Sequence, residues 1–451
     1  MDKKKKSLQI LIKRHQAHII DYFNKLPPQE KESFLTNLDK LNLKLVFDLY
    51  DKEVSSVKEP KEYKNITPPT IFKPYSNIEK LKLKQAGETS ISNGDLAVVI
   101  VAGGEATRLK YPHPKGMYPI SPLQEKSLFQ LFSEKIKALS LKYNVDIPLL
   151  IMTNPKTVSQ IETFFSKNNF FDLNRNNIFF FQQELLPSIT SEGKLITKKD
   201  GSILTNPDGH GGTIKSLWES KLVHKLEKRG IKMFFYCHID NPLVNVLDPL
   251  FVGCHLTNKA DFSLKTIKKY KNEKVGTLVN VNNKPIIIEY IELPTQLQKA
   301  VDKKGNLIFN SGSIGIHIIN RDFIKSLNEN GFALPYHKQE KKVSFEDKEI
   351  DVWKFETFFF DAIPLAKKIC CIETNRQEEF APLKNYKGKD SPSRVKEQMV
   401  KFYKKWLLEA NIDVPNNIIV EISPLFATDK EEFIAKIDRI KPVFTKDTYL
   451  T

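Results

Sequence analysis

Two glycines and two cations follow an uninterrupted apolar run in the first third of the chain. The run covers residues 96–102 and leads into Gly103 and Gly104, with Arg108 and Lys115 shortly after. Glycine lets a backbone approach a ligand closely, so its N–H groups can cradle phosphate oxygens or bond the edge of a base. The guanidinium of Arg108 fits phosphate as a planar fork, and Lys115 adds a mobile charge. Such a pair suits a triphosphate whose negative charge moves onto a departing pyrophosphate.

Each of these features also has a simpler interpretation. A Gly-Gly pair after a strand is by itself an ordinary tight turn, and a single Arg or Lys is usually a surface charge. Neither the dinucleotide-binding pattern G-x-G-x-x-G nor the P-loop pattern G-x-x-x-x-G-K-[ST] occurs in this segment. The inference of a phosphate site therefore depends on the combination of residues.

Three later segments place polar groups or glycines where predicted strands end. Gln183 follows the apolar run 178–181, and its amide has the donor and the acceptor needed to pair with uracil. Asp240 follows the run 233–237, at the sheet edge where open α/β folds bind ligands, and its carboxylate is a ligand type suited to Mg²⁺. The glycines of loop 209–212 offer a second flat backbone patch. A turn or capping role is the alternative for each segment.

The order of the apolar runs predicts an α/β architecture. Strands predicted at 96–102, 147–152, 178–181 and 233–237 are separated by stretches with helical spacing, among them a helix over 217–226. Alternating strands and helices indicate a mostly parallel sheet that is covered on both faces. The chain has 451 residues, more than one average domain requires.

Composition shifts divide the chain into three predicted segments. A helical N-terminal region is expected over residues 1–90, with helices within 7–50 and a proline-rich extended connector over 54–76. The catalytic domain is expected over 91–380 and a small C-terminal domain over 381–451.

Bulk composition favours an ordinary globular protein that acts on small anions. The formal net charge is +16, but the lysines are spread along the chain and no Arg-rich patch interleaves with aromatic residues. We therefore expect no nucleic-acid partner, although a charge-driven nucleic-acid-binding protein remains the alternative.

The four cysteines lack metal-ligand spacing, and Cys370-Cys371 lies in an apolar run typical of a buried strand. No membrane span or signal peptide is apparent, which predicts a cytoplasmic protein without a membrane partner.

The polar segments together resemble one family. The sequence Gly103-Gly-Glu-Ala-Thr-Arg-Leu109 resembles the signature of UDP-sugar pyrophosphorylases, and Lys115-Gly-Met-Tyr118 is most similar to the eukaryotic-type UDP-N-acetylhexosamine pyrophosphorylases. The resemblance extends from about residue 96 to 425. Further matching segments are 181–187, 207–212, 236–243, 275–276, 288–290, 309–312, 353–356, 379–385 and 421–425.

The resemblance implies a fold and a reaction. The fold is α/β, with a Rossmann-like nucleotidyltransferase (GT-A-like) central domain containing a mixed, mostly parallel sheet. A helical N-terminal region and a small C-terminal domain flank it. The implied enzyme is a uridylyltransferase that makes UDP-N-acetylglucosamine, or another UDP-N-acetylhexosamine, and pyrophosphate from UTP and the sugar 1-phosphate. Mg²⁺ is the implied cofactor, and a monomer is the expected oligomeric state.

The resemblance also implies roles for particular residues. The implied catalytic residues are Arg108 and Lys115, and the implied metal ligand is Asp240. Residues similar to the family's nucleotide-binding positions are Ala102, Gly103, Gly104, Thr107, Gln183, Gly209, His210, Asp240 and Lys354. Residues similar to its sugar- and phosphate-binding positions are Gly276, Glu289, Tyr290, Asn310 and Lys384.

Three positions depart from the family pattern. Ala106 and Lys110 stand where the family usually or often has glycine, and an added methyl at 106 is costly only if that residue needs a positive φ. His210 stands where acetylhexosamine enzymes usually have Asn, and the Gly-His-Gly form is more like UDP-glucose and broad-specificity enzymes. A UDP-glucose or broad UDP-sugar pyrophosphorylase, and a non-catalytic nucleotide-binding homologue, therefore stay open as alternatives.

Overall fold

A computed structural model describes residues 3–56, 63, 65–104, 106–290, 292–345 and 348–451. The helices are α1 (Lys3–Lys13), α2 (Ala17–Lys25), α3 (Pro28–Asp39), α4 (Leu43–Ser55), α5 (Asn77–Ser92), α6 (Leu128–Tyr143), α7 (Val158–Lys167), α8 (Gly212–Glu219), α9 (Leu222–Glu227), α10 (Pro249–Thr257), α11 (Thr295–Lys299), α12 (Arg321–Ser326), α13 (Arg376–Glu379), α14 (Pro392–Glu409) and α15 (Lys430–Ile440). The strands are β1 (Ile66–Thr67), β2 (Leu96–Val101), β3 (Leu149–Thr153), β4 (Ile178–Gln182), β5 (Leu185–Pro187), β6 (Thr205–Pro207), β7 (Met233–His238), β8 (Phe262–Lys268), β9 (Thr277–Val281), β10 (Lys284–Ile288), β11 (Ser311–Asn320), β12 (His337–Phe345), β13 (Lys348–Glu356), β14 (Ile369–Glu373), β15 (Val420–Ile422) and β16 (Thr448–Leu450).

The chain folds into two compact units, each built from separate stretches of sequence. Unit 1 comprises 1–63, 183–216 and 332–361, and unit 2 comprises 64–182, 217–331 and 362–451. The boundaries at residues 90 and 380 that were inferred from composition stay predictions.

Unit 2 contains a large mixed sheet with the order β1-β9-β11-β7-β2-β3-β4, to which β10 adds beside β9, and β8 and β14 add beside β11. Strands β2, β3, β4 and β7 run parallel to one another, and β11 runs antiparallel to β7. The predicted α/β fold with a mixed, mostly parallel central sheet is confirmed. Strands β2, β3 and β7 are apolar and buried along nearly their whole length, as expected where helices cover both faces of a sheet.

The pairing of β2 with β7 fixes where the predicted site residues emerge. Val101 lies opposite His238 in the parallel register, and the Ile239 N–H donates to the Val101 carbonyl at 3.1 Å. Because the two strands end at the same edge of the sheet, the loop that begins at Ala102 and the loop that carries Asp240 leave it side by side.

Two local predictions differ from the structure. The prediction of one continuous helix over 217–226 was wrong. Lys221 has a left-handed φ of 61° and separates α8 from α9. The connector predicted over 54–76 begins within α4, which continues to Ser55. Residues 57–62 and 64 of that connector lie outside the described residues. The remainder contains the short strand β1, which pairs with β9.

In unit 1, the four N-terminal helices share an apolar core with the segments that follow. The core includes Leu11, Ile19, Val46 and Phe47 from the helices, together with Leu186, Ile189, Leu195 and Phe355. The Gln16 side chain donates to the Gly193 carbonyl at 2.8 Å and accepts from the Leu195 N–H at 2.9 Å. Helices that carry no chemistry of their own therefore brace the loops of this unit.

The cysteines and the hydropathy of the helices agree with the bulk composition. All four cysteines are buried free thiols. Throughout the described residues, every helix is too short or too polar to cross a bilayer.

Candidate functional site

The first glycine loop lies open at the end of β2. A methyl group added to Gly104 would meet no atom within 4 Å, so a ligand can approach this backbone closely. The Gly103 carbonyl accepts from the Asn154 side chain at 3.0 Å, and the Ala102 N–H donates to the Met152 carbonyl at 2.8 Å. Contacts to β3 and its following loop therefore hold the entrance of the glycine loop in place.

The two departures in this loop both occupy backbone conformations that suit glycine. Lys110 is left-handed, with φ of 53° and ψ of 35°, and Ala106 stands at the edge of that region with φ of 19° and ψ of 22°. A left-handed conformation costs a non-glycine residue about 1–2 kcal/mol. This chain thus places a side chain at Lys110, and another at the edge of the left-handed region at Ala106, where glycine would be unstrained.

Arg108 projects from this loop with its charge available. Its side chain is exposed and forms no ion pair with the part of the chain that the structure describes, and Thr107 beside it is also exposed. The Arg108 carbonyl accepts from the Tyr386 N–H at 3.1 Å, and the Lys110 ammonium lies 5.4 Å from the centre of the Tyr386 ring. The loop that carries Arg108 is therefore tied to the segment that carries Lys384.

Lys115 and Asp240 form an ion pair at the same edge of the sheet. The Lys115 Nζ lies 3.4 Å from the Asp240 Oδ2, and the two side chains are only 15% and 18% exposed. Burial acts to raise the pKa of the Asp240 carboxyl, but the charges of Lys115, His238 and Lys384 outweigh it and hold that pKa below its usual value. Asp240 is therefore an anion, surrounded by cations that can also face phosphate.

The loop after Asp240 is fixed by two residues that sequence reasoning did not single out. Asn241 donates to the Glu379 carbonyl at 2.7 Å and accepts from the Ala381 N–H at 3.0 Å. From α6, the buried Lys135 ammonium donates to the Pro242 and Val244 carbonyls. The position of Lys135 in the sequence gives no signal of this contact. Asn241, in contrast, could have been singled out because it directly follows the candidate metal ligand, Asp240. Burial lowers the pKa of Lys135 to about 8.

A buried charge network anchors the segment leading to Lys384. Lys265, fully buried in β8, lies 2.6 Å from both the Asp248 and the Glu379 carboxylates. Two residues past Ala381, the Leu383 N–H donates to the Asp240 carbonyl at 2.7 Å. The main chain before Lys384 is therefore held directly against Asp240, and Lys384 acts on the pKa of Asp240 through its charge.

The predicted sugar-side residues gather where β9, β10 and β11 meet. Gly276 precedes β9 and Glu289 follows β10, so the hairpin register places them opposite each other. A methyl group on Gly276 would lie 3.3 Å from the Glu289 Oε1. Asn310 precedes β11, whose Gly312 pairs with Thr277. The aromatic ring of Tyr290 is 5.9 Å from the ammonium of Lys274.

The other predicted residues, Gln183, Gly209, His210 and Lys354, belong to unit 1. Gln183 is 6% exposed, yet its amide makes no hydrogen bond to the described residues of the protein. Because the described residues leave its donor and acceptor unused, this amide is suited to a ligand such as a base edge. Lys354 is half-buried in β13, opposite Gln339.

The second glycine loop packs directly on the backbone that follows β13. Gly209 has φ of 86°, and a methyl group there would collide with the Thr357 carbonyl. One at Gly211 would come within 2.7 Å of the Phe358 backbone. The Gly211 N–H donates to the Thr357 carbonyl at 2.9 Å. Glycine is thus required by close backbone approach as well as by φ.

His210 has a packing role in this loop. Its Nδ1 accepts from the Phe359 N–H at 3.1 Å, which places the proton of the neutral imidazole on Nε2. The imidazole centre lies 5.5 Å from the ring centres of both Phe358 and Phe360. The residue that departs from the acetylhexosamine pattern therefore bridges the glycine loop to the chain at 358–360.

Asp240 fits a magnesium ion shared with a nucleotide better than a site made by protein alone. Among the described residues, no cluster of three or more His, Cys, Asp or Glu side chains could enclose a metal. Mg²⁺ bound with substrate phosphates typically uses one or two carboxylates and keeps several waters. An anionic Asp240 beside Lys115 meets that requirement.

Comparisons with known proteins agree with this geometry. The family model for UTP–glucose-1-phosphate uridylyltransferase matches residues 44–443, and the chain belongs to this uridylyltransferase family. The UDP-N-acetylglucosamine pyrophosphorylase of Saccharomyces cerevisiae is 32% identical, over 92% of this chain and 93% of its own. The UDP-N-acetylglucosamine diphosphorylase 2 of Arabidopsis thaliana is 30% identical, over 92% of this chain and 86% of its own. The crystal structure of uridine diphosphate N-acetylglucosamine pyrophosphorylase from Trypanosoma brucei is similar with a TM-score of 0.86 at 25% identity, covering 100% of this chain and 98% of that one.

The close approach at Gly209 predicts a stability loss that its φ alone does not explain. Gly230 has nearly the same φ, 85°, but no atom lies within 4 Å of an added methyl. Gly230→Ala should cost about 1–2 kcal/mol for the left-handed conformation. Gly209→Ala should cost about 1–3 kcal/mol more, because the methyl overpacks against Thr357. Melting temperatures of the two variants measure the difference, and equal losses would contradict the close approach.

The lowered pKa of Asp240 predicts a particular pH dependence of stability. A carboxyl whose folded pKa lies below its unfolded value of about 3.9 stabilises the fold fully above that pH. That contribution is lost as the pH falls through the folded pKa. The melting temperature of Asp240→Asn should therefore differ from that of the wild type by an amount that is constant above about pH 7, where the neighbouring His238 is neutral in both proteins, and that changes only in more acidic buffer. The exposed Asp438 provides the control, Asp438→Asn. A change in this difference above about pH 7 would contradict the account.

Proposed function

We propose that this chain transfers the uridylyl group of UTP to N-acetylglucosamine 1-phosphate, or a closely related N-acetylhexosamine 1-phosphate, and releases pyrophosphate. The observation that carries the proposal is the Lys115–Asp240 pair beside an open glycine loop. Membership of the uridylyltransferase family supports the reaction class, and the relatives named UDP-N-acetylglucosamine pyrophosphorylases support the acetylated sugar.

The nucleotide roles follow from the chemistry of each group. Gln183 and the backbone at Gly209 bind the uracil edge, since an amide that has no hydrogen-bond partner among the described residues can supply both a donor and an acceptor. Ala102, Gly103, Gly104 and Thr107 line the triphosphate. His210 holds the second glycine loop for the nucleotide, and Lys354 adds positive charge from β13.

Arg108 and Lys115 act on the reacting phosphates. UTP binds first, and an oxygen of the sugar 1-phosphate then attacks the α-phosphorus in line with the departing pyrophosphate. No general base is needed, because the attacking phosphate is already ionised near neutral pH. Positioning and charge stabilisation supply the catalysis, with Arg108 and Lys115 stabilising the leaving group. The exposed guanidinium of Arg108 supports this role, because no carboxylate of the described residues forms an ion pair with it.

We assign five residues to binding of the sugar 1-phosphate: Gly276, Glu289, Tyr290, Asn310 and Lys384. Gly276 and Glu289 lie within reach of one ligand group, and Lys384 follows a main-chain segment bonded to Asp240. Mg²⁺, held by Asp240, would offset the repulsion between phosphates when bound. We further propose that the protein acts as a cytoplasmic monomer without nucleic-acid or membrane partners.

Pyrophosphate release with UTP and Mg²⁺ tests the proposed function. The sugars to compare are the 1-phosphates of N-acetylglucosamine, N-acetylgalactosamine, glucose and galactose. The acetylated sugars should exceed glucose 1-phosphate by about tenfold or more in kcat/KM, because a site that bonds the acetamido group leaves polar atoms unpaired without it. His210→Asn should keep that preference, since His210 packs on the chain at 358–360. Preference for glucose 1-phosphate would show that the substrate is this sugar phosphate and not an acetylated one. The absence of pyrophosphate release with all four sugar 1-phosphates would overturn the proposed function.

Removal of either catalytic cation should slow turnover. Arg108→Ala and Lys115→Ala should each lower kcat by about 10²-fold, because each removes a charge that stabilises the leaving pyrophosphate. The exposed Lys167 at the end of α7 provides the matched control, and Lys167→Ala should turn over like the wild type. Steady-state rates at saturating UTP and sugar 1-phosphate measure the effect. Wild-type kcat in both site variants would contradict the assignment.

A further inference from the structure

One buried lysine in unit 2 has too few partners for a purely structural role. Lys269 follows the last residue of β8 and is only 8% exposed. Its ammonium donates to the Thr277 hydroxyl at 2.6 Å, and among the described residues it has no ion pair. An ammonium has three donors and a full charge, so one neutral acceptor leaves most of its solvation uncompensated.

Two other lysines of this unit, one buried and one half-buried, are better compensated. Lys265, four residues earlier, meets two carboxylates at 2.6 Å. Lys135 donates to two carbonyls. Burial lowers the pKa of Lys269, and the nearby Glu273 opposes that effect only in part. The carboxylate of Glu273 is itself bound by Arg376 and by Lys389 at 3.1 Å. The carboxylate whose charge acts on Lys269 is therefore already neutralised by other cations.

The position of Lys269 points towards the sugar 1-phosphate. Its N–H donates to the carbonyl of Asn310 at 2.8 Å, and its hydroxyl partner Thr277 directly follows Gly276. An added methyl on Gly312 would lie 3.3 Å from the Lys269 Cβ, so glycine leaves space for this side chain. Lys269 is thus built into the junction of strands that carries the assigned sugar-side residues.

The charges around this junction favour an anion over a neutral group. Arg376, Lys384 and Lys389 act on Asp390, and Glu273 lies in the same group of charges. In this group of charges, three cations accompany two carboxylates, Asp390 and Glu273. A hydroxyl or acetamide oxygen could accept one bond from Lys269 but would leave its charge uncompensated. A phosphate supplies both several acceptor oxygens and the compensating charge.

We propose that the Lys269 ammonium binds the phosphate of the sugar 1-phosphate, an inference that rests on the proposed function. In the product, this group becomes the sugar-side phosphate of the UDP-sugar. Lys269 is therefore a further substrate-binding residue, which aligns the attacking phosphate from the side of β8.

Lys269→Met tests this role, because it keeps the length of the side chain and removes the charge. The KM for N-acetylglucosamine 1-phosphate should rise about 10- to 100-fold, the range expected for a charged hydrogen bond. The KM for UTP should stay within about twofold, because the nucleotide phosphates have other partners. The melting temperature should stay level or rise, since removal of a poorly compensated buried charge relieves a cost.

Two controls separate binding from structure and from the proposed function. Lys265→Met should lower the melting temperature, because it leaves two buried carboxylates without their cation. Titration calorimetry with UDP-N-acetylglucosamine in the absence of pyrophosphate gives affinity without turnover. For Lys269→Met, the affinity for UDP-N-acetylglucosamine should fall about 10- to 100-fold, whereas the affinity for UTP should not change.

The outcomes distinguish the two claims. A wild type that neither releases pyrophosphate nor binds UDP-N-acetylglucosamine would overturn the proposed function, and this inference with it. An active wild type would overturn the inference alone if Lys269→Met left the sugar-phosphate KM and the product affinity unchanged. The inference alone would also be overturned if Lys269→Met raised the KM for UTP and the KM for the sugar 1-phosphate equally and lowered the melting temperature as Lys265→Met does.

Discussion

The candidate site in unit 2 depends on bringing a partly buried lysine and a partly buried aspartate together beyond the ends of two neighbouring parallel strands. The Lys115 ammonium and the Asp240 carboxylate lie 3.4 Å apart with little exposure to water. Leaving one member of a buried pair without the other costs about 3–5 kcal/mol, so the surrounding loops must keep both in place. The β2–β7 register, the Asn241 side chain and the Leu383 N–H all meet that requirement. A site for moving negative charge between phosphates needs this kind of fixed, partly desolvated charge.

The contacts that hold the Lys115–Asp240 pair in place come from distant parts of the sequence. Lys265 and Glu379 join β8 to the segment before Lys384, and Lys135 holds the carbonyls after Asp240 from α6. The 106–110 loop reaches the same segment through the contact between Arg108 and Tyr386. The unit 2 loops that carry Arg108, Asp240 and Lys384 are therefore bonded to each other as well as to the sheet, which limits how far a catalytic cation can move from the phosphate that it is proposed to stabilise.

Much of the central sheet could be predicted from the sequence, because its strands are short, apolar and followed by distinctive polar residues. Strands β2, β3, β4 and β7 coincide closely with the predicted runs, and the polar residues after β2 and β7 leave the sheet at the same edge, as expected for parallel strands. The break at Lys221 could not be predicted, because a lysine in a left-handed conformation leaves no compositional signal. Lys135 and Lys269 escaped notice for another reason. In a chain with 70 Lys and Arg residues, only the fold shows which of them are buried and what they contact. The roles assigned to individual site residues remain proposals.

A double-mutant cycle on Lys115 and Asp240 tests the central claim that these two residues work as one unit. The values of kcat/KM for pyrophosphate release would be compared among the wild type, Lys115→Met, Asp240→Asn and the double variant. The account predicts strong non-additivity, with a coupling energy towards the upper end of the range of about 0.5–3 kcal/mol found for contacting residues. The double variant should then be little worse than the poorer single variant. Losses that add within about 0.5 kcal/mol would show that the two residues act independently, and would contradict the account.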